Sequence, residues 1–225
     1  LIDPVALLTA LQFGDGQFPG GGFAFSWGLE SLIADGALAR ADFADFLDGQ
    51  LRYRWGPFDR VIVAHAHAAA EMPARLFDLD DLTDAFLTVE AVRIGSRRAG
   101  GALLGTHLRI GTPGAGTLRD AIERRDAYGH LPVVQGAMLA AVGLDVVTTL
   151  AVSAYGTAQA FCTAAIRLGL IGHLDAQRAL SALRPGIAAL VAEPAQRLDD
   201  LYAVTPVTDI AAMRHGDQMQ RLFSN

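Results

Sequence analysis

Residues 146–166 read VVTTLAVSAYGTAQAFCTAAI, the longest uncharged run in the chain. The run is about as long as a membrane span. Thr148, Thr149, Ser153, Tyr155, Gly156, Gln159 and Thr163 recur through it and make it too polar for lipid. The alternative is a central helix enclosed by other helices, with small residues that allow close approach and with Arg167 and Gly169 as stop signals. A helix of that kind needs a helical shell, so the rest of the chain must supply amphipathic helices.

Working outward, Gly129-His130-Leu131-Pro132 opens a helix to Val142 with Pro132 in its first turn, and Asp175 caps a helix to Glu193 that Pro185 should kink. A loop through Thr205-Pro206 leads to a short helix near 207–213 and a polar tail. Upstream, Val5, Leu7, Leu8 and Leu11 recur at helical spacing after Pro4, and their apolar face needs a lid. Helices are predicted over 26–34 with Ser26 as N-cap, over 42–55 until Gly56-Pro57 breaks the chain, from Pro57 to Glu71, from Asp80 or Asp81 to about Gly95, over 96–110, and over 117–127. The body of the fourth, VIVAHAHAAA, is apolar enough to be buried on most sides. Gly100, Gly101 and Gly105 predict closely packed backbones, because each otherwise costs about 1 kcal/mol relative to Ala. No alternating strand pattern and no internal repeat competes, so the chain reads as one all-α domain over 1–225, a bundle of about ten helices with a C-terminal tail at about 206–225.

Composition narrows function. The chain carries a net charge of −6, all its basic residues are arginine, and no segment concentrates them, which argues against nucleic acid and for protein partners. The single Cys162 excludes a disulfide framework, reads as a buried hydrophobe and fits a cytoplasmic protein. The first dozen residues carry Asp3 and no basic region, so no signal peptide is read there. His65 and His67 stand two apart on a helix and point to opposite faces, so they cannot chelate one ion in cis; they are weak metal candidates only across a subunit interface. Arg97 and Arg98 read as surface residues, with an arginine finger as the sharper alternative.

Residues 14–30, GDGQFPGGGFAFSWGLE, combine six glycines with four large aromatics. Pro19, Gly21, Gly22, Phe23 and Gly28 mark a rigid packed turn, since a flexible linker would lack the rings. A phosphate loop needs a lysine that the chain does not possess, and the spacing of Gly14, Gly16 and Gly20 misses the dinucleotide fingerprint. Ala24-Phe25-Ser26-Trp27-Gly28 approaches a nucleophile elbow, so Ser26 is the one candidate for a serine hydrolase. No other catalytic motif is present.

Four blocks in order resemble the urease accessory protein UreF family along essentially the whole chain: Phe18-Pro19 with Gly21-Gly22-Phe23, Ser26 and Gly28-Leu29-Glu30; His130 to Val134 with Gly136; AAIRLGLIGHLDAQRAL over 164–180; and PVTDIAAMRHGDQMQRLFS over 206–224. The resemblance implies a non-catalytic cytoplasmic homodimer, without membrane or nucleic-acid partners, that serves as a nickel-insertion chaperone. Its partners would be UreD (also called UreH), the GTPase UreG and urease apoprotein; it binds no cofactor tightly, and nickel is handled by the complex. Matched residue by residue, Glu30 is expected to face UreG, and His215, Arg221, Leu222 and Phe223 to lie in the tail that orders on UreD. His130 and Tyr155 are weaker candidates. Phe25, Gly20 and Gly216 depart from the family pattern, so a role tied to a histidine at the first of these positions does not carry over. A direct nickel carrier is the alternative to the scaffold.

Overall fold

The computed structural model describes residues 3–214 together with Leu222 and Phe223; of Phe23 only the backbone is described. Among the described residues there is no strand, and the chain is all-α. Asp3 caps α1 (Pro4–Gly14), its Oδ1 accepting the Val5 N–H at 3.0 Å, with Pro4 in the first turn. A loop leads into α2 (Leu29–Ala34) and then α3 (Phe43–Gln50). Gly56-Pro57 predicts a break, and the chain does not break there. It passes through a π-helical turn, Leu51–Asp59, straight into α4 (Arg60–Ala68). The wider π turn accommodates a residue that lacks an N–H and whose ring would clash with the carbonyl of a tighter helix.

Pro73 starts α5 (Pro73–Phe86), well before the predicted cap at Asp80 or Asp81, and α6 (Glu90–Arg109) continues through Gly95. There follow α7 (Ala115–Arg124), α8 (Leu131–Ala141) with Pro132 in its first turn, α9 (Val146–Arg167), α10 (His173–Ala192), which continues on both sides of Pro185, and α11 (Pro206–Arg214). No helix of the described residues is long and apolar enough to cross a membrane.

The enclosed helix is α4 more than α9. Val61, Ile62, Val63 and Ala66 have no exposed surface, and α4 divides the interior in two. On one side Val63 and Ala64 join a cluster with Phe43, Leu47, Phe161 and Leu180; on the other Val61, Ile62 and Ala66 join one with Phe58, Leu104, Val134 and Met138. The approach of α8 to α4 is close enough that a Cβ on Gly136 would lie 2.4 Å from the Val63 carbonyl oxygen. Helix α9 is capped by Asp145, which accepts the Thr148 N–H at 2.8 Å; it buries Ala154, Ala158, Phe161 and Ala165 but leaves Val147 and Tyr155 exposed. Helix α1 buries no residue fully, and Val5, Leu8 and Leu11 are exposed, uncovered by the other described residues.

Of the three glycines predicted to pack closely on α6, only Gly100 does. A Cβ there would lie 2.0 Å from the Gly129 carbonyl oxygen, whereas Gly101 and Gly105 have open space.

Candidate functional site: the junction of residues 14–30 with the C-terminal segment

Residues 14–30 contain a 3₁₀ turn, Gly22–Ala24, and two of the glycines, Gly21 and Gly28, meet close neighbours, whereas Gly22 has open space around it. Gly21, at φ +76°, sits where a Cβ would meet the Ala102 Cβ at 2.4 Å, and the Pro19 carbonyl accepts the Thr106 hydroxyl at 2.7 Å, so the loop is fastened along α6. Phe18 and Phe13 meet edge to face at 5.0 Å, and Phe13 stacks on the His107 ring. Trp27 and Phe25 pack over Gly95. Gly28, at φ +88°, is the N-cap of α2 in place of Ser26, and a Cβ there would lie 2.6 Å from the Thr208 carbonyl oxygen of α11. Ser26 is fully buried, which leaves its hydroxyl no access to a substrate.

From Gly28 onward the N-terminal stretch is held by the C-terminal segment. Asp35 at the end of α2 pairs with Arg214 at the end of α11, and Gln50 Nε2 donates to Thr208 Oγ1 at 2.8 Å. Glu30 does not stand on the helix surface as expected. It is 7% exposed, and its Oε1 and Oε2 accept the N–H groups of Leu222 at 2.6 Å and Phe223 at 3.2 Å. Burial of a carboxylate needs such partners, and those come from residues too distant in sequence for local pattern to show. Phe223 is buried with Leu29 and Phe161 in the first cluster, and the Arg167 guanidinium lies 4.2 Å from its ring centroid. Leu222 is exposed. Of the other tail candidates, His215 and Arg221 lie outside the described residues.

Beside the junction a cavity of about 260 Å³ opens between the glycine turn, the π-helical turn, α9 and the start of α11. Its walls include Trp27, Trp55, Gln159, Arg54, Asp59 and Asp209. Arg54 Nε donates to Asp59 at 3.2 Å. Burial pushes the carboxyl groups of both Asp59 and Asp209 above the usual carboxylate range, against the opposing pull of Arg54.

The remaining candidates sit elsewhere. His65 and His67 each bond a backbone carbonyl oxygen, of Gln196 at 3.0 Å and Leu144 at 2.8 Å. Among the described residues no three His, Cys, Asp or Glu side chains are grouped to hold a metal ion. Burial pushes the Cys162 thiol up to about 12, so it is not a thiolate at neutral pH. His130 is fully buried, with Nδ1 3.1 Å from Ser96 Oγ and Nε2 3.0 Å from Asp84, which also pairs with Arg97. Arg97 lies over the Tyr128 ring rather than projecting freely into solvent.

Two buried charges were missed from the sequence. Asp80 has no exposed surface and accepts three successive N–H groups, of Tyr128, Gly129 and His130, at 2.5, 2.7 and 2.8 Å. Arg60 donates to the carbonyls of Gly56 at 3.0 Å and Glu193 at 2.9 Å and ties α4 to the end of α10.

Comparison with known proteins places this arrangement. Residues 38–184 match the UreF family model. The chain is 31% identical over 228 residues to the urease accessory protein UreF of Trichodesmium erythraeum, covering 97% of this chain and 96% of the relative. It is 34% identical over 220 residues to the protein of the same name from Cereibacter sphaeroides, covering 97% and 98%. The chain belongs to the UreF family. The family model runs from just before α3 to the middle of α10, whereas the two relatives align across nearly the whole chain. Both relatives are named urease accessory proteins.

Proposed function

We propose that this UreF-family chain is a non-catalytic, dimeric scaffold that binds UreD/UreH and recruits the GTPase UreG, so that nickel is inserted into urease apoprotein in the cytoplasm. The observation that carries the reading is the two-sided character of α11. Its inner side, Thr208, Ala211 and Ala212, packs against the chain's own body. Its outer side presents Val207, Ile210 and Met213, 63%, 55% and 59% exposed, at a spacing of three that makes one apolar stripe. A stripe of that kind suits a protein partner, here UreD/UreH. The uncovered face of α1, with Val5, Leu8 and Leu11, supports a second copy as its lid.

The nickel-carrier and hydrolase alternatives have less behind them: His65 and His67 are engaged with carbonyl oxygens, and Ser26 is enclosed.

The test is size-exclusion chromatography with light scattering on the chain alone and with its cognate UreD and UreG. The expected result is a dimer that enters a larger complex, with Ile210→Glu abolishing entry and leaving the helical content unchanged. A monomer that ignores both partners refutes the scaffold.

A further inference from the structure

The charge on Glu30 is buried at the start of a helix only six residues long, whose N-cap is a glycine with no capping side chain. An acid at that position normally faces solvent, where the helix N-terminus favours it. Here each carboxylate oxygen takes one of two successive peptide N–H groups, from Leu222 and Phe223. Such a fork reads backbone, not side chain, and accordingly the Leu222 side chain is left exposed. Identity is read one residue later. The Phe223 ring is 5% exposed and lies beneath the guanidinium of Arg167, in the last turn of α9.

We propose that Glu30 and Arg167 form a receptor for a bent peptide segment carrying an aromatic residue, that its occupant is the chain's own Leu222-Phe223, and that Glu30 is a positioning residue acting through this strap. Glu30 then influences any partner indirectly, by holding Leu222 with its side chain exposed. Among the described residues the strap is held by two charge-assisted hydrogen bonds and one buried ring, and it opens as a unit separate from the packed helices around α4. Undocking uncovers the Phe223 site and the Glu30 carboxylate together, so the closed form is favoured whenever nothing else fills the site.

The inference does not depend on the scaffold reading and is tested on the full-length chain alone, by residue-resolved hydrogen–deuterium exchange. In Glu30→Ala the amides of Leu222 and Phe223 should exchange at least about tenfold faster than in the parent chain, while those of α4 and α8 keep their rates. Glu30→Gln, which retains one acceptor oxygen, should fall between the two. In Phe223→Ala the Leu222 amide should accelerate by a similar factor, and this variant reports even where Glu30→Ala fails to fold. Unchanged exchange at Leu222 in either Ala variant overturns the proposal. So does acceleration spread equally over α4 and α8, which would make Glu30 a general support of the fold.

Discussion

Replacing Asp80 with alanine removes the single acceptor for three consecutive backbone N–H groups. The carboxylate has no exposed surface, and its oxygens lie 2.5 to 2.8 Å from the nitrogens of residues 128–130. A hydrogen bond to a charged group contributes about 1.5–3 kcal/mol, and an abandoned buried donor costs about 1–3 kcal/mol. Simple addition over three bonds would overstate the loss, because the small cavity left behind admits water and the loop relaxes. About 4 kcal/mol is a reasonable expectation, near the range found when one member of a buried charged network is removed. For a chain of 225 residues, unfolding entropy near 2.1 cal/mol/K per residue makes that a fall in Tm of about 9 °C. Asp80→Asn, with one acceptor oxygen and no charge, should lose about half as much. The measurement is thermal unfolding by circular dichroism at fixed protein concentration, since self-association would otherwise shift the midpoint. A fall of less than about 2 °C for Asp80→Ala would refute the claim that this carboxylate fastens α5 to the start of α8.

Gly136→Ala should destabilise by about 3 kcal/mol in urea unfolding, because its Cβ would drive α8 off the Val63 carbonyl, whereas Gly101→Ala, with open space around it, should gain up to about 1 kcal/mol. His107 is fully enclosed, and burial pushes its pKa down to about 4. Between that value and the ordinary value near 6.5 the unfolded chain binds the extra proton, so stability is complete above the upper limit and falls as pH drops through the window. His107→Leu should flatten the pH dependence of urea stability there by close to one proton, about 1.4 kcal/mol per pH unit, and an unaltered slope would contradict the assignment.

Periodicity and punctuation made much of the fold legible. Pro4 and Pro132 stand at helix starts where local chemistry alone puts them, and the apolar body of α4 announces its burial. The aromatic-glycine turn was also readable, since Phe18 and Trp27 have no place in a flexible linker. Asp80 was not readable. It sits in a run, Asp78-Leu79-Asp80-Asp81, that resembles a helix start, and its partners are 48 to 50 residues away. The Pro57 break was misplaced because a π turn depends on how neighbouring helices hold the chain, not on the dipeptide itself. Glu30 follows the same logic: a carboxylate two residues past a glycine looks like a solvated first-turn acid until Leu222 and Phe223 come back to meet it.

The hydrogen bonds that Glu30 accepts span 192 and 193 residues of sequence. During synthesis α2 leaves the ribosome long before its fasteners do, and a helix of six residues has little stability of its own while it waits. The body around α4 can pack first, because its densest contacts, between α4 and α8, are complete once residue 141 has emerged. The junction therefore closes last, and only on a chain translated through Phe223. A ribosome that stops before Phe223 leaves the bundle around α4 without its junction, so the ability to close it separates chains that contain this dipeptide from chains that lack it.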